Sequence, residues 1–227
     1  MNKETCVILP AYNEENHITR VIEGLLSEGF PIVVIDDGST DSTFEKASST
    51  GVKVLQHKIN QGKGSALFTG FKEVLANKEY KYFLILDSDG QHDYTECYKF
   101  IKKADTTDAA LIIGYRMWKP EDMPLDRRIV NRLTSFLISI VSGQKILDCQ
   151  SGFRLLKREL LENVIFTAER YDIECDMIIK SAKAGFKIDF VPIKSIYADE
   201  HSSINPMRDT FRFIILYSKA IIAKFLF

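Results

Sequence analysis

The chain reads as an α/β protein with a mostly parallel central sheet flanked by helices, and three observations carry that reading. Short apolar runs rich in β-branched residues alternate with segments of helical period. The runs lack the clean alternation of a strand with one wet face, as expected where helices cover both faces of a sheet. Three of them leave the core in polar clusters, "VILPAYNEEN", "VVIDDGSTDS" and "FLILDSDGQH". An open α/β sheet places its ligand crevice beyond the carboxyl ends of such strands.

Each element can be justified in order. "CVILP" is the first strand, and Glu15 to Ser27 form the helix after it, with Asn13 as N-cap. "IVVID" is the second strand; Gly38 to Thr40 turn into a helix from Asp41 to Ser49, capped by Asp41 or Ser39. "VKVLQH" precedes a helix from Ser65 to Ala76, "YFLILD" precedes one from Thr95 to Lys103, and "ALIIGY" is the fifth strand. Parallel neighbours of this kind are joined by right-handed crossovers. The rhythm then changes, and "LDRRIVNRLTSFLISIV" sets Leu125, Ile129, Leu133, Leu137 and Val141 on one face of a long helix. A loop through "LDCQSG" leads to a short strand around Phe153 to Leu156 and a helical turn. "DIECDMIIKSAKAG" is a helix ended by Gly185 in a left-handed cap, and "FKIDFVPI" is the last strand. No repeat, low-complexity tract or linker intervenes, so a single domain over residues 1–227 is expected.

Composition narrows the function. Of 227 residues, 45% are hydrophobic and 27% charged, a balance that supports a buried core and excludes a disordered chain. Thirty basic against thirty-one acidic residues leave no field to attract a nucleic-acid backbone, so nucleic acid is not expected as a partner. Cys6, Cys97, Cys149 and Cys175 form no C-x-x-C pair, which points to reduced thiols in a cytoplasmic protein. "MNKETCVILPAYNEEN" has too short an apolar stretch for a signal peptide. The C-terminal "TFRFIILYSKAIIAKFLF" is interrupted by Arg212, Lys219 and Lys224, whereas a spanning helix needs ~20 predominantly apolar residues. Residues 207–227 are expected as an amphipathic helix with Arg208, Arg212 and Lys219 near one another. It either lies peripherally on a membrane surface or docks on the core.

The most specific motif is Asp87-Ser88-Asp89 followed by Gln91, at the end of a buried strand. Two carboxylates and an amide oxygen are hard ligands for Mg2+ or Mn2+, ions commonly completed by water and substrate phosphates, so a diphosphate substrate is implied. The plain alternative is an acidic turn, since Asp, Ser and Gly favour turns unaided. "PAYNEEN" offers Pro10, Tyr12 and Glu14 as a platform for a base and ribose, or simply a helix entry. "DDGSTDST" presents Asp37 to a base, and the adjacent carboxylates of Asp36 and Asp37 call for donors nearby. "NQGKGSA" sets Gly62, Lys63 and Gly64 before a helix, either for phosphate contact by Lys63 or as a glycine-assisted turn. Its spacing matches neither a Walker A loop nor a dinucleotide fingerprint.

These blocks, with "IGYR", "NRLTS", "DCQSGFR" and "SSINPMRDTFRF", occur in an order that resembles family 2 glycosyltransferases, especially the dolichyl-phosphate-mannose synthase group of polyprenyl-phosphate glycosyltransferases. The resemblance covers nearly the whole chain. It implies a GT-A fold with a Rossmann-like nucleotide-binding half, and inverting transfer from a nucleotide-sugar donor, a GDP- or UDP-sugar, to a lipid-phosphate acceptor. It further implies that Pro10, Tyr12, Glu14 and Asp37 hold the nucleoside and that Asp87, Asp89 and Gln91 hold the metal and diphosphate, with Lys63 and Ser88 also on the donor side. Arg116, Arg132 and Ser135 would lie near donor and acceptor phosphates, and Gln150, Ser151 and Arg154 would line the acceptor side. Ser202-Ser203 stands where members of that group often carry Ser-Lys, so a phosphate-contacting lysine is absent there.

Acceptor chemistry decides whether a base is needed. A hydroxyl acceptor requires one, for which Glu174 or Asp176 is available, whereas a phosphate is already anionic. The same pair would also be explained as charge at a helix N-terminus, worth ~0.3 to 1 kcal/mol. With a lipid phosphate, Asp176→Ala is expected to be nearly silent. Two further readings are a family 2 enzyme acting on a sugar hydroxyl of a cell-surface glycan and a catalytically idle nucleotide-sugar-binding module. A nucleotidyltransferase ranks last, because "PAYNEEN" replaces its glycine-rich loop.

Overall fold

A computed structural model describes residues 3–116, 123–170 and 172–194. The expectations for His201, Ser202, Ser203, Arg208 and the 207–227 helix lie outside those residues. Among them, seven strands form one sheet: β1 (Thr5–Ala11), β2 (Ile32–Asp36), β3 (Lys53–Gln56), β4 (Tyr82–Ile85), β5 (Leu111–Tyr115), β6 (Arg154–Lys157) and β7 (Ile188–Pro192). The helices are α1 (Ile18–Ser27), α2 (Thr43–Ser49), α3 (Lys63–Ala76), α4 (Cys97–Thr106), α5 (Leu125–Ser142), α6 (Arg158–Asn163) and α7 (Ile173–Lys183). None of the helices in the described residues is long and apolar enough to cross a membrane.

The strand order is β3-β2-β1-β4-β6-β5-β7. The first four strands run parallel, so the chain leaves β1, β2 and β4 at one edge, and the order reverses between β1 and β4. That reversal is the point at which an α/β sheet opens a crevice. β6 is antiparallel to both β4 and β5, pairing Arg154 with Ile85 and Ile113. Its polarity follows from the 148–153 loop, which enters the sheet from the crevice edge rather than crossing behind it.

Apolar residues supply both faces. Ile8, Ile35, Phe83 and Ile85 pack with Leu67, Phe71 and Val74 of α3 on one side. Val7, Leu9, Val34 and Leu84 pack with Ile18, Ile22 and Leu25 of α1 and Phe100 of α4 on the other. Each fully buried side chain of this size contributes roughly 2 kcal/mol. A Cβ at Gly70 would collide with Ile8 and Ile35, so glycine is what lets α3 lie close to the sheet.

One local expectation is corrected. Asn13 does not cap α1, whose N-cap is His17. Asn13 instead takes a left-handed conformation, φ +56°, and accepts the Thr40 amide at 2.8 Å while its own amide donates to Ser39 Oγ. It thus stitches the β1 exit to the β2 exit. In α5 the apolar stripe is split: Leu125, Ile129 and Leu133 are exposed, as is Phe136 beside them (65%, 59%, 47% and 63%), whereas Val141 at its far end is buried in the core. The buried side carries Asn131, Thr134 and Ser135 as well as Ile138 and Val141. The crevice edge is polar, and the helix turns its polar residues toward it. Gly143 and Gly185 end α5 and α7 with φ of +71° and +83°.

Candidate active site

The crevice edge gathers the exits of β1, β2, β4 and β5, the loop before β6 and the start of α7. Exposed Tyr12 follows β1. Asp37, at the end of β2, donates its amide to Ala11 O at 2.8 Å, and Ser88, after β4, donates its hydroxyl to Pro10 O at 2.9 Å. Asp37 and Asp87 therefore flank Tyr12. Pro10 is buried within β1, and the Ser88 hydroxyl has no hydrogen left for a ligand. Glu14 lies beside His17 at 3.3 Å.

The two adjacent carboxylates at the end of β2 find the donors that their repulsion demands. Asp36 accepts Gln56 Nε2 at 3.0 Å, and Asp37 accepts the amides of Gln61 and Gly62, the latter at 2.7 Å. His57 Nδ1 lies 2.6 Å from Asp37 Oδ1, and its Nε2 lies 2.8 Å from Thr69 Oγ1. Asp37 thereby fixes the 57–62 loop against the crevice. Nothing in the sequence around His57 marks this role, since its partners Asp37 and Thr69 lie 20 and 12 residues away.

The glycines of "NQGKGSA" serve close packing. Segment 168–170 runs across the start of α3, where a Cβ at Gly64 would strike Ala168 O and one at Gly62 would strike Glu169 O. The Ser65 amide donates to Glu169 O at 3.1 Å, so this helix start is partly covered by backbone. Lys63, between the two glycines, reaches the acidic cluster: its Nζ lies 2.5 Å from Asp87 Oδ1 and 2.6 Å from Glu174 Oε1. His92 Nε2 is 3.4 Å from Asp87 Oδ2. Burial would push the Asp87 carboxyl up, but the Lys63 charge and the His92 hydrogen bond outweigh it and hold it far below the usual carboxylate range. Asp89 moves the other way, pushed up by burial and then by the charge of Asp87. Its Oδ1 accepts the Gln91 amide at 2.9 Å. Gly152 backs the cluster, since a Cβ there would overlap the Asp87 carboxylate.

On the far side, Asp148 is fully buried and accepts from three segments. Arg116 grips it with Nε at 2.9 Å and Nη2 at 3.0 Å, and Asn131 Nδ2 donates at 2.9 Å. The amides of Arg116 and Gln150 add two more bonds. Burial would raise this carboxyl, yet Arg116 and Asn131 prevail and hold it below its ordinary value. Ser135 Oγ donates to Asn131 Oδ1 at 3.1 Å and accepts the Cys149 amide at 3.0 Å, so the "NRLTS" and "DCQSGFR" blocks form one bonded unit. Arg132, in contrast, is exposed. Asp148 was quoted within a motif but not singled out, because a lone Asp gives no hint of four distant donors.

A carboxyl whose folded pKa is depressed stabilises the fold above its unfolded value, near 4, and loses that contribution as pH falls through the folded one. Asp148→Asn is therefore expected to cost about 2 to 3 kcal/mol at pH 7, with the gap to the parent closing as pH drops below about 4. Thermal unfolding across a pH series measures it.

Three expected site residues are placed differently. Arg154 is 1% exposed, and its donors go to Ser151 O at 2.8 Å, Cys149 O at 2.8 Å and Glu174 O at 2.5 Å. It braces the 149–151 loop against α7 from beneath instead of facing an acceptor. Ser151 is buried as well, its Oγ without a hydrogen-bond partner, while Gln150 is exposed. Asp176 accepts the Thr167 amide at 2.7 Å, the Ala168 amide at 3.3 Å and Lys180 Nζ at 3.1 Å. Its carboxylate shapes the 167–168 segment, so truncation to Ala would disturb the fold whatever the chemistry.

The family model described as "Glycosyl transferase family 2" matches residues 6–165. The chain is 32% identical over 221 residues to glycosyltransferase AglJ of Haloferax volcanii, covering 95% of this chain and 71% of that protein. It is 29% identical over 220 residues to the UDP-N-acetylglucosamine–dolichyl-phosphate N-acetylglucosaminyltransferase of Methanococcus voltae, covering 85% and 86%. Glucosyl-3-phosphoglycerate synthase of Mycobacterium tuberculosis, solved with Mn2+, UDP and phosphoglyceric acid, superposes with a TM-score of 0.74 at 22% identity, over 95% of this chain and 78% of that one. The shared architecture is the GT-A fold.

Proposed function

We propose, from the premise that the chain belongs to glycosyl transferase family 2, that it transfers a sugar from a nucleoside-diphosphate sugar to a polyprenyl phosphate with inversion at the anomeric carbon. Tyr12 and Asp37 would receive the nucleoside on the β1 and β2 side of the crevice. Asp87, Asp89 and Gln91 would hold Mg2+ or Mn2+, and the bound ion would neutralise charge growing on the departing diphosphate. Their donor set fits a hard cation. Two carboxylates and one amide leave coordination positions for diphosphate oxygens and water. Arg116, oriented by Asp148, would face phosphate charge across the crevice.

The observation that supports the acceptor class is the engagement of Asp176, which is held by two backbone amides and Lys180. An acceptor that brings its own negative charge needs no such base. The named activity of the Methanococcus voltae relative supports the same class and favours a UDP-sugar over a GDP-sugar. The exposed apolar stripe of α5, Leu125, Ile129 and Phe136, suits work at a membrane surface where a lipid phosphate resides. The whole chain would act as one domain, peripheral on the cytoplasmic face.

Asp176→Asn tests this reading, because the amide oxygen still accepts the Thr167 amide but cannot serve as a base. Radiolabelled transfer from UDP- and GDP-sugars to a short polyprenyl phosphate should fall less than about tenfold. A loss of about 10² to 10⁴ would instead indicate a general base and a hydroxyl acceptor.

A further inference from the structure

We propose that Lys63 is a built-in counter-cation of the acidic site, holding Asp87 and Glu174 together until a divalent cation and the donor diphosphate displace it. The idea rests on the metal reading of Asp87 and Asp89 given above. It goes further by assigning this site an internal competitor.

The geometry points to exchange. One ammonium lies within hydrogen-bond reach of two carboxylates that come from different parts of the fold, Asp87 after β4 and Glu174 in the first turn of α7. Both are largely shielded from solvent, and the second oxygen of Glu174 is buried with no hydrogen-bond partner. Without a cation between them, the two negative charges would repel in a medium that screens poorly. Lys63 supplies that cation when nothing else does.

A divalent ion uses the same oxygens differently. Mg2+ binds carboxylate oxygen at about 2.0 to 2.1 Å. An ion at Asp87 Oδ1 would thus stand close to an ammonium that is itself 2.5 Å from that atom. Like charges at such separation exclude each other. The backbone at Lys63 cannot yield, because Gly62 and Gly64 on either side are pressed against the 168–170 segment. The side chain can, since a lysine carries its charge on a flexible four-carbon stem. The anion that arrives with the metal is the diphosphate, and an ammonium leaving Asp87 gains a new partner there. The lysine would then neutralise carboxylates in the empty site and phosphate oxygens in the filled one.

The test compares two affinities that the proposal moves in opposite directions. Mn2+ binding is followed by the electron paramagnetic resonance of the free ion, and UDP binding with Mn2+ present is followed by calorimetry, for the parent, Lys63→Met and Lys63→Arg. Lys63→Met should bind Mn2+ alone roughly tenfold more tightly and UDP with Mn2+ roughly tenfold more weakly. Lys63→Arg, which keeps the charge, should return both values toward the parent. A merely structural lysine would weaken both together in Lys63→Met. Should that variant fold poorly, the double variant Lys63→Met/Glu174→Gln removes the bare carboxylate pair and should keep the tighter Mn2+ binding. Unchanged or weaker Mn2+ binding in these variants overturns the counter-cation role while leaving the metal site standing. If the parent shows no Mn2+ dependence of UDP binding, the metal reading falls first and this proposal falls with it.

Discussion

Asp89→Ala is expected to lower sugar transfer by about three orders of magnitude while leaving thermal stability unchanged or slightly higher. The loss follows from removing a group placed where charge develops on the leaving diphosphate, an effect of the order of 10² to 10³ in kcat for one such stabiliser. The stability half of the prediction follows from the site's own electrostatics. Burial and then the neighbouring Asp87 push the Asp89 carboxyl up, so its charge adds nothing to the stability of the metal-free fold. Its single described acceptor role, toward the Gln91 amide, lies at a partly exposed turn and is easily replaced by water. Initial rates with Mg2+ and with Mn2+, beside melting curves of the metal-free protein, check both halves. Full turnover in this variant would remove Asp89 from the metal assignment.

The second large effect concerns the fold that presents the site. Arg154→Met should cost about 4 kcal/mol, which for a chain of this size lowers the melting temperature by about 10 °C. The guanidinium is enclosed beneath the crevice and donates to the carbonyls of Cys149, Ser151 and Glu174. Methionine fills part of the volume but leaves the buried loop carbonyls of Cys149 and Ser151 without their donor, at ~1 to 3 kcal/mol each before relaxation, and removes the second donor of Glu174 O. The same bonds tie the 149–151 loop to the start of α7, so Glu174 and the backing of Asp87 by Gly152 should loosen together. Differential scanning calorimetry gives the stability change, and hydrogen exchange at Cys149 and Gln150 gives the loop opening. A melting temperature within a degree or two of the parent would show that the carbonyls are satisfied without the arginine.

Much of the architecture was legible because it is repetitive. Runs such as "IVVID" and "YFLILD" can satisfy their backbone and bury both faces only inside a helix-covered sheet, and the structure puts β2 and β4 there. The polar ends of three strands marked the crevice for the same reason. The α5 stripe was legible as a stripe, but its direction was not. Periodicity reports which residues share a face, but whether that face meets the core or solvent depends on what lies opposite, here the buried polar network of Asp148, Asn131 and Ser135. The antiparallel course of β6 was likewise hidden, since four residues of "RLLK" look the same in either direction.

By itself, then, the sequence determined the α/β class, the strand and helix alternation, the family and the acidic cluster at the end of β4. All of these are written in contiguous residues, whose spacing alone fixes backbone period and strand-end chemistry. Only the tertiary structure decided what each polar group does. Lys63 meets Glu174 across 111 residues, and Arg116 meets Asp148 across 32. Which donor answers a buried carboxylate is settled by the chain's path through space, where the low dielectric makes an unanswered charge costly.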